Sequence, residues 1–409
     1  MGEENFRPRL RYVEVFPLPD EQGRSQFGVR DPQQITSHIL CISLDVAYVL
    51  QFLDGTRTME EIRSEFQRRF NRDFPADLLS QVIRKLDGSY FLDNDAFQLY
   101  LTELVESFRR AEVREAFHAG NSYSEDAVTL HNSLTALFSG PNGPGLPNGA
   151  VSERQIPAII APHIDLRIGG HTYAWAYKQL AEAQKPDVVI VLGTGHSGLR
   201  NLFSLTRKRF ATPLGELQID SEFVNRLTTL YPHDLFSDEL AHRTEHTIEF
   251  QVLFLQFLFG SGVSLVPILC SFAYSMVRDG NTAEIIRRFT EALQMVIRQD
   301  GRRICLVASA DLAHVGPRYG DREGFVGERL ERVKEGDRAM LAYVEKVDAD
   351  GFLDFIAREG DQRRICGLSP IYTMLKVLDA RRGKVLSHSH GDMDNMGSVC
   401  SYASVILEA

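Results

Sequence analysis

The sequence predicts an α/β fold: a mostly parallel central sheet flanked by helices, preceded by a small winged-helix-like α+β domain. Short apolar runs at 156–161, 187–192, 263–269, 303–309 and 398–407 have the continuous hydrophobicity of strands buried on both faces. They alternate with stretches of helical periodicity at 171–183, 220–230, 246–259, 281–299, 327–346 and 369–379. That alternation implies parallel strands with crossover helices. The first hundred residues follow a different pattern of short helices and turns.

In that first stretch Pro17, Pro19 and Gly23 mark an irregular start before the apolar segment Ile39–Ser43. Leu44–Leu53 reads as an amphipathic helix stopped at Asp54-Gly55, because glycine readily takes the left-handed conformation after a helix. Thr58-Met-Glu-Glu61 is a capping-box pattern opening a second helix toward Phe70. A third helix is expected at 77–86, then strands flanking a turn at 90–99. Residues 98–118, rich in Glu and Arg, read as a connecting helix that contains a linker at 101–111. Three helices and a hairpin suggest a winged helix over 1–100. Such a module packs on its neighbour, binds peptide by adding a strand to a sheet edge, or binds DNA. With 12 Lys/Arg against 16 Asp/Glu, it lacks the charge footprint of a DNA reader.

At 409 residues the chain accommodates two or three domains. A hydrophobic content of 44% and a charged content of 24% fit an ordinary soluble protein. The net charge of −10 argues against non-specific nucleic-acid binding. No apolar stretch long enough to span a bilayer occurs, and the N-terminus lacks the apolar core of a signal peptide, so no membrane association is expected. The five cysteines, Cys41, Cys270, Cys305, Cys366 and Cys400, are scattered and odd in number. That excludes a disulfide framework or zinc ribbon and points to a reducing cytoplasm. Ser139–Gly149 is a Pro- and Gly-rich loop. Walker A, Rossmann and His-Glu-x-x-His motifs are absent.

Chemistry-bearing residues stand at the ends of separate apolar runs. His163 closes Ile156–His163, His196 closes Val188–His196, and Asp311 and His314 close Ile304–His314. Ligands collect at the carboxyl ends of parallel strands, so these residues are expected to meet. Gly169-Gly170 would permit close approach of chain or ligand beyond His163, and the amides of Gly193-Thr194-Gly195 could hold an anion. His171 reads as structural. Cys366 precedes a helix whose N-terminus would favour a thiolate. Cys270, Cys305 and Cys400 read as core residues. The three-residue offset of Asp311 and His314 can place both on one face of a turn, as an acid–base pair or with the carboxylate orienting the imidazole. In Glu245-His-Thr-Ile-Glu249 the acids suit the start of a helix, and His246 suits proton transfer beside the site. Two imidazoles and a thiolate suggest a first-row transition metal.

Several segments, in order, resemble the Memo family, also called AmmeMemoRadiSam system protein B. They are His118–Tyr123, Ala161-Pro-His163, Leu192–His196, Glu245–Glu249, Ser309–His314, Ile365-Cys-Gly367 and Ser398–Ala403. The resemblance covers 112–409 and implies a fold similar to the class III extradiol dioxygenases, in which a cysteine replaces the usual carboxylate ligand. It implies metal ligation by His163, His196 and Cys366, with His246, Asp311 and His314 lining the pocket as catalytic residues. The cofactor implied is Fe(II), or else copper, with zinc less suited. The activity implied is a redox one, oxygenation or oxidation of a small or peptidic substrate. The segments Leu53–Ile62, 77–86 and Gly88–Leu92 are similar to PqqD-like domains, peptide modules associated with radical SAM maturases. A radical SAM partner is implied on the same footing, whereas the homodimer expectation comes from an edge of the predicted sheet that could pair with a second copy. The chain departs from the family pattern after His163, after His196 and at Ser122. The alternative function is therefore an adaptor that binds a peptide or a radical SAM protein without turnover.

Overall fold

The computed structural model describes residues 6–18, 26–149 and 152–408. The chain divides into two compact units, Met1–Arg110 and Ala111–Ala409.

Unit 1 opens with an antiparallel meander, β1 (Glu14–Leu18), β2 (Gln26–Arg30) and β3 (Ile39–Ser43). Pro17, expected in an irregular segment, lies in β1, an edge strand, the position in a sheet where proline is tolerated. Pro19 and Gly23 lie outside the described residues. Four helices follow: α1 (Leu44–Leu50), α2 (Met59–Phe70), α3 (Ala76–Gly88) and α4 (Asp95–Arg110). The capping box forms as read: Thr58 accepts from the Glu61 amide, and Glu61 accepts from the Thr58 amide at 2.7 Å. Leu79, Ile83 and Leu86 of α3 are buried against Phe66, Phe74 and Phe91, each burial stabilising by roughly 1.5–3 kcal/mol.

The expected hairpin at 90–99 does not form. Asn94 caps α4 by accepting from the Phe97 amide at 3.0 Å, and Leu92 makes only an isolated bridge with Leu10. The antiparallel sheet therefore precedes the helices. The helical linker read at 101–111 falls on α4, which ends at Arg110; the connecting helix read at 98–118 therefore stops eight residues early, and Val113–Arg114 forms a short strand instead.

Unit 2 is a three-layer α/β/α structure around an eight-stranded mixed sheet. Its elements are β4 (Val113–Arg114), α5 (Ala127–Ser139), β5 (Ala158–Ala161), α6 (Leu166–Ala181), β6 (Val188–Thr194), β7 (Phe203–Leu205), β8 (Arg209–Thr212), β9 (Gly215–Leu217), α7 (Ser221–Leu230), α8 (His246–Phe259), β10 (Ser264–Cys270), α9 (Gly280–Gln299), β11 (Ile304–Ser309), β12 (Asp311–Val315), α10 (Glu328–Glu345), α11 (Ala349–Arg358), α12 (Leu368–Val377), β13 (Arg382–Asp392) and β14 (Val399–Glu408). Strands β5, β11, β6 and β10 are parallel neighbours. The flanking strands run antiparallel: β7 beside β10, and β14 beside β5 with β12 and β13 paired to it.

Successive residues of the central strands enter opposite cores. Ile160, Ile190 and Leu192 pack with Phe289 of α9 and Ile371 of α12. Ile159, Val189 and Val191 pack with Tyr173 of α6 and Phe254 of α8. Covering on both faces is why these strands read as unbroken apolar runs. The register sets Ser309 beside both Ala161 and Gly193, so β5, β11 and β6 end level. That common edge carries the site. Among the described residues, no helix is long and apolar enough to cross a membrane.

Candidate metal centre

Each strand end delivers one group. His163 follows β5, His196 follows β6, and Asp311 begins β12 directly after β11. His246 is the first residue of α8, whose N-cap is Glu245. Cys366 lies one residue before Gly367, the N-cap of α12. A Cβ on Gly367 would stand 2.5 Å from the Asp311 carbonyl, so only glycine lets this loop approach β12 and present Cys366.

Three imidazoles converge. The ring centroids of His163, His196 and His246 are 5.0–5.5 Å apart, with His196 and His246 stacked and His163 edge-on to both. One nitrogen from each lies within 4.8 Å of the others. Each Nδ1 already faces an acceptor: His163 the Ser309 carbonyl at 3.0 Å, His196 the Glu245 carboxylate at 3.1 Å, and His246 the same carboxylate at 3.1 Å. A ring that donates from Nδ1 carries its lone pair on Nε2, so this arrangement frees three Nε2 atoms. The Cys366 thiol lies 3.2 Å from His163 Nε2.

Asp311 is buried beside them. Its Oδ1 accepts from the His163 amide at 2.9 Å and the Ile164 amide at 3.2 Å, and its Oδ2 stands 3.7 Å from His163 Nε2. His314 is three residues along β12, with Nδ1 facing the Leu312 carbonyl at 3.2 Å and Nε2 facing Cys400 Sγ at 3.3 Å. Asp311 therefore orients the backbone of His163 rather than the imidazole of His314.

Burial governs the protonation states. Burial, with the charges of His196 and His246, pushes His163 well below the ordinary histidine value, so its Nε2 lone pair stays free. Burial opposes a charge on His196, whose side chain is 41% exposed, but attraction to Glu245 outweighs it and raises the imidazole. Burial likewise opposes charge on Glu245, yet His196 and then His246 hold it well below the carboxylate range. Burial lifts Asp311 to about 6 against the pull of the His163 and Ile164 amides, and lowers His314 to about 4. Burial and then Asp311 push the Cys366 thiol well up. The helix start after Cys366 thus does not yield a thiolate on its own. A bound cation would.

Several sequence expectations change here. Gly169 and Gly170 lie inside α6, where added Cβ atoms would strike Ile164 and Leu137; they serve chain packing, not ligand access. His171 is half-buried on the same helix. Gly193 and Thr194 belong to β6, and Gly195 donates to the Cys270 carbonyl at 2.9 Å. The anion held at this strand end is the Glu245 carboxylate, on the His196 amide at 2.8 Å. Asp311 and His314 lie on a bulged strand rather than a turn. Glu249 stands in the first turn of α8, as expected, and is also fully buried, paired with Arg114 and accepting from Tyr123 Oη and the His118 amide. Arg114 also donates to the Glu245 carbonyl at 2.9 Å, tying the segment 114–123 to the site. That long-range pairing leaves no local sequence signal. Cys400, read as core, is buried but faces Asp311 and His314.

The donor set fits a transition ion: imidazole nitrogens with lone pairs free, an adjacent thiol and a buried carboxylate.

The sequence matches the family model described as "Memo-like protein" over residues 114–406. A MEMO1 family protein of Aquifex aeolicus is 27% identical over 98% of this chain and all of its own length, so it spans both units. MEMO1 family proteins of Sulfolobus acidocaldarius and Aeropyrum pernix are 31% and 32% identical over 70% and 69% of this chain, and 96% and 94% of their own. A solved structure, the uncharacterized protein JW3007 from Escherichia coli K12, gives a TM-score of 0.33 and 17% identity over 62% of this chain and 99% of its own, too distant to carry an argument. By the extent of that family match, the chain belongs to the Memo-like proteins.

Proposed function

We propose that unit 2 is a redox metalloprotein that holds one Fe(II) or copper ion on His163, His196 and Cys366, and oxidises or oxygenates a small or peptidic substrate. The observation that carries the reading is the convergence of imidazoles whose Nδ1 atoms are already occupied, beside a thiol 3.2 Å from His163 Nε2. A thiolate with imidazoles suits Fe(II) or copper better than magnesium or calcium, and zinc would supply Lewis acidity without redox change. When bound, the ion supplies one-electron chemistry and a position for dioxygen or substrate.

The residues of the chain do the rest. Glu245 fixes the rings of His196 and His246 through one carboxylate, so a proton leaving either Nδ1 has an acceptor at 3.1 Å. Without a bound metal, burial raises Asp311 to about 6, and Oδ2 is the oxygen left to carry its proton, because Oδ1 is occupied by two amides. His246 is a third imidazole within reach of the ion and either carries protons or completes the ligand set.

The test is anaerobic purification followed by metal analysis, then dioxygen uptake by wild type and Cys366→Ser. The reading expects tightly held iron or copper and metal-dependent uptake, both weakened in the variant. Metal occupancy and uptake unchanged by Cys366→Ser would show that the ligand set is wrong.

A further inference from the structure

A second group of donors sits beside the first. Asp311, His314 and Cys400 each offer an atom within 4.8 Å of the other two. Cys400 Sγ is 3.3 Å from His314 Nε2 and 3.7 Å from Asp311 Oδ2.

The backbone explains how they meet. In a regular strand, residues three apart point to opposite faces. Between Asp311 and His314 the β12–β14 register shifts: Asp311 pairs with Tyr402 and His314 with Cys400, so three steps on β12 match two on β14. The extra residue of this bulge turns both side chains to one face. Cys400, directly opposite His314, joins them as its cross-strand neighbour.

Asp311, a member of the second group, also borders the first. Asp311 Oδ1 is saturated by two backbone amides, whereas Oδ2 stands 3.7 Å from His163 Nε2 on one side and 3.7 Å from Cys400 Sγ on the other. Among the described residues its only ion-pair partner is His163. A buried carboxylate facing two donor sets, without Lys or Arg in a salt bridge to it, suits a carboxylate between two cations.

We propose that Asp311, His314 and Cys400 form a second first-row metal site, joined to the first through the Asp311 carboxylate. Carboxylate oxygen, imidazole nitrogen and thiolate sulfur make a three-donor set for Zn(II), Fe(II) or Co(II), with a fourth position for water or substrate. Binding a divalent ion breaks the Cys400 S–H bond, forms a metal–sulfur bond and releases the proton to water. The Tyr319 ring, edge-on to His314 with centroids 5.0 Å apart, walls the site on one side. The join rests on the reading that His163 holds a metal, whereas the second site stands on its own three donors.

Cobalt(II) is the probe, titrated into the full-length, metal-free chain and followed by d–d absorption and by thiolate-to-cobalt charge transfer. Wild type is expected to take two ions. Cys400→Ser and His314→Gln should each take one, with weaker charge transfer in the cysteine variant. His163→Ala should also take one, now at the second site, and this arm reports on the first site separately. Circular dichroism checks folding; should Cys400→Ser misfold, the half-buried His314→Gln carries the test. Saturation at a single cobalt, with neither stoichiometry nor charge transfer altered by Cys400→Ser or His314→Gln, overturns the proposal.

Discussion

Glu245 accepts hydrogen bonds from both the backbone amide and Nδ1 of His196, at 2.8 and 3.1 Å, and so fixes the position, tautomer and charge of that imidazole together. The same carboxylate caps α8 through the amides of His246 and Thr247. Helix start and candidate ligand are thus one construction. Glu245→Gln keeps the size and an acceptor oxygen but removes the charge. We expect metal affinity to fall by roughly 10–100-fold, the usual effect of losing such a supporting carboxylate, and the His196 imidazole to titrate at lower pH. Competition titration against a chelator and NMR of the ring protons check both. Unchanged affinity would mean that Glu245 only caps the helix.

The buried Arg114–Glu249 pair anchors the segment that closes over α8. Both side chains are fully inaccessible, and Glu249 also accepts from Tyr123 and the His118 amide. Removing one partner leaves a buried charge unpaired, so Glu249→Ala should cost about 3–5 kcal/mol. Tyr123→Phe removes one donor and should cost about 1–3 kcal/mol. Denaturant midpoints measure both. Equal effects would contradict the dominance of the ion pair.

Acid should destabilise the metal-free protein. His163 is held well below its unfolded value, His242 at about 3 and His314 at about 4, all primarily by burial. As pH falls below about 6.5, the unfolded chain binds protons at these sites before the native one does, and each group removes about 1.4 kcal/mol per pH unit. Asp311 works oppositely: raised to about 6, it takes its proton first in the native state and offsets one histidine as pH drops from 6 toward 4. From these four groups together the net loss is at most about 3 kcal/mol per unit between pH 6 and 4. Urea unfolding at pH 7 and 5 tests this, and a flat profile would refute it.

In unit 1 the capping box predicts a local effect. Thr58→Ala removes the acceptor for the Glu61 amide and should cost about 1 kcal/mol. Its effect on the thermal transition of unit 1 should exceed that of a substitution at exposed Glu60.

Much of unit 2 was legible because its central strands are buried on both faces, which leaves unbroken apolar runs ending in His163, His196 and Asp311. Helix 246–259 was read to the residue, since Glu245 followed by a long apolar stretch marks its start. The N-terminal hairpin was misread because Tyr90-Phe-Leu looks like a strand. Asn94 followed by Asp95 was the available cap signal for α4. The bulge in β12 was not legible, because an i, i+3 pair suggests a turn or helix and the extra residue exists only relative to β14. Cys400 was hidden for the same reason: along its own strand it is an ordinary core position, and only the cross-strand register faces it with His314.

The most direct test is X-ray absorption at the iron edge of Cys400→Ser loaded anaerobically with one equivalent of Fe(II). The account predicts imidazole scattering from at least two histidines plus one sulfur neighbour, with the sulfur lost in Cys400→Ser/Cys366→Ser. Tight binding with no sulfur in the first shell, or no retained iron at all, would contradict it.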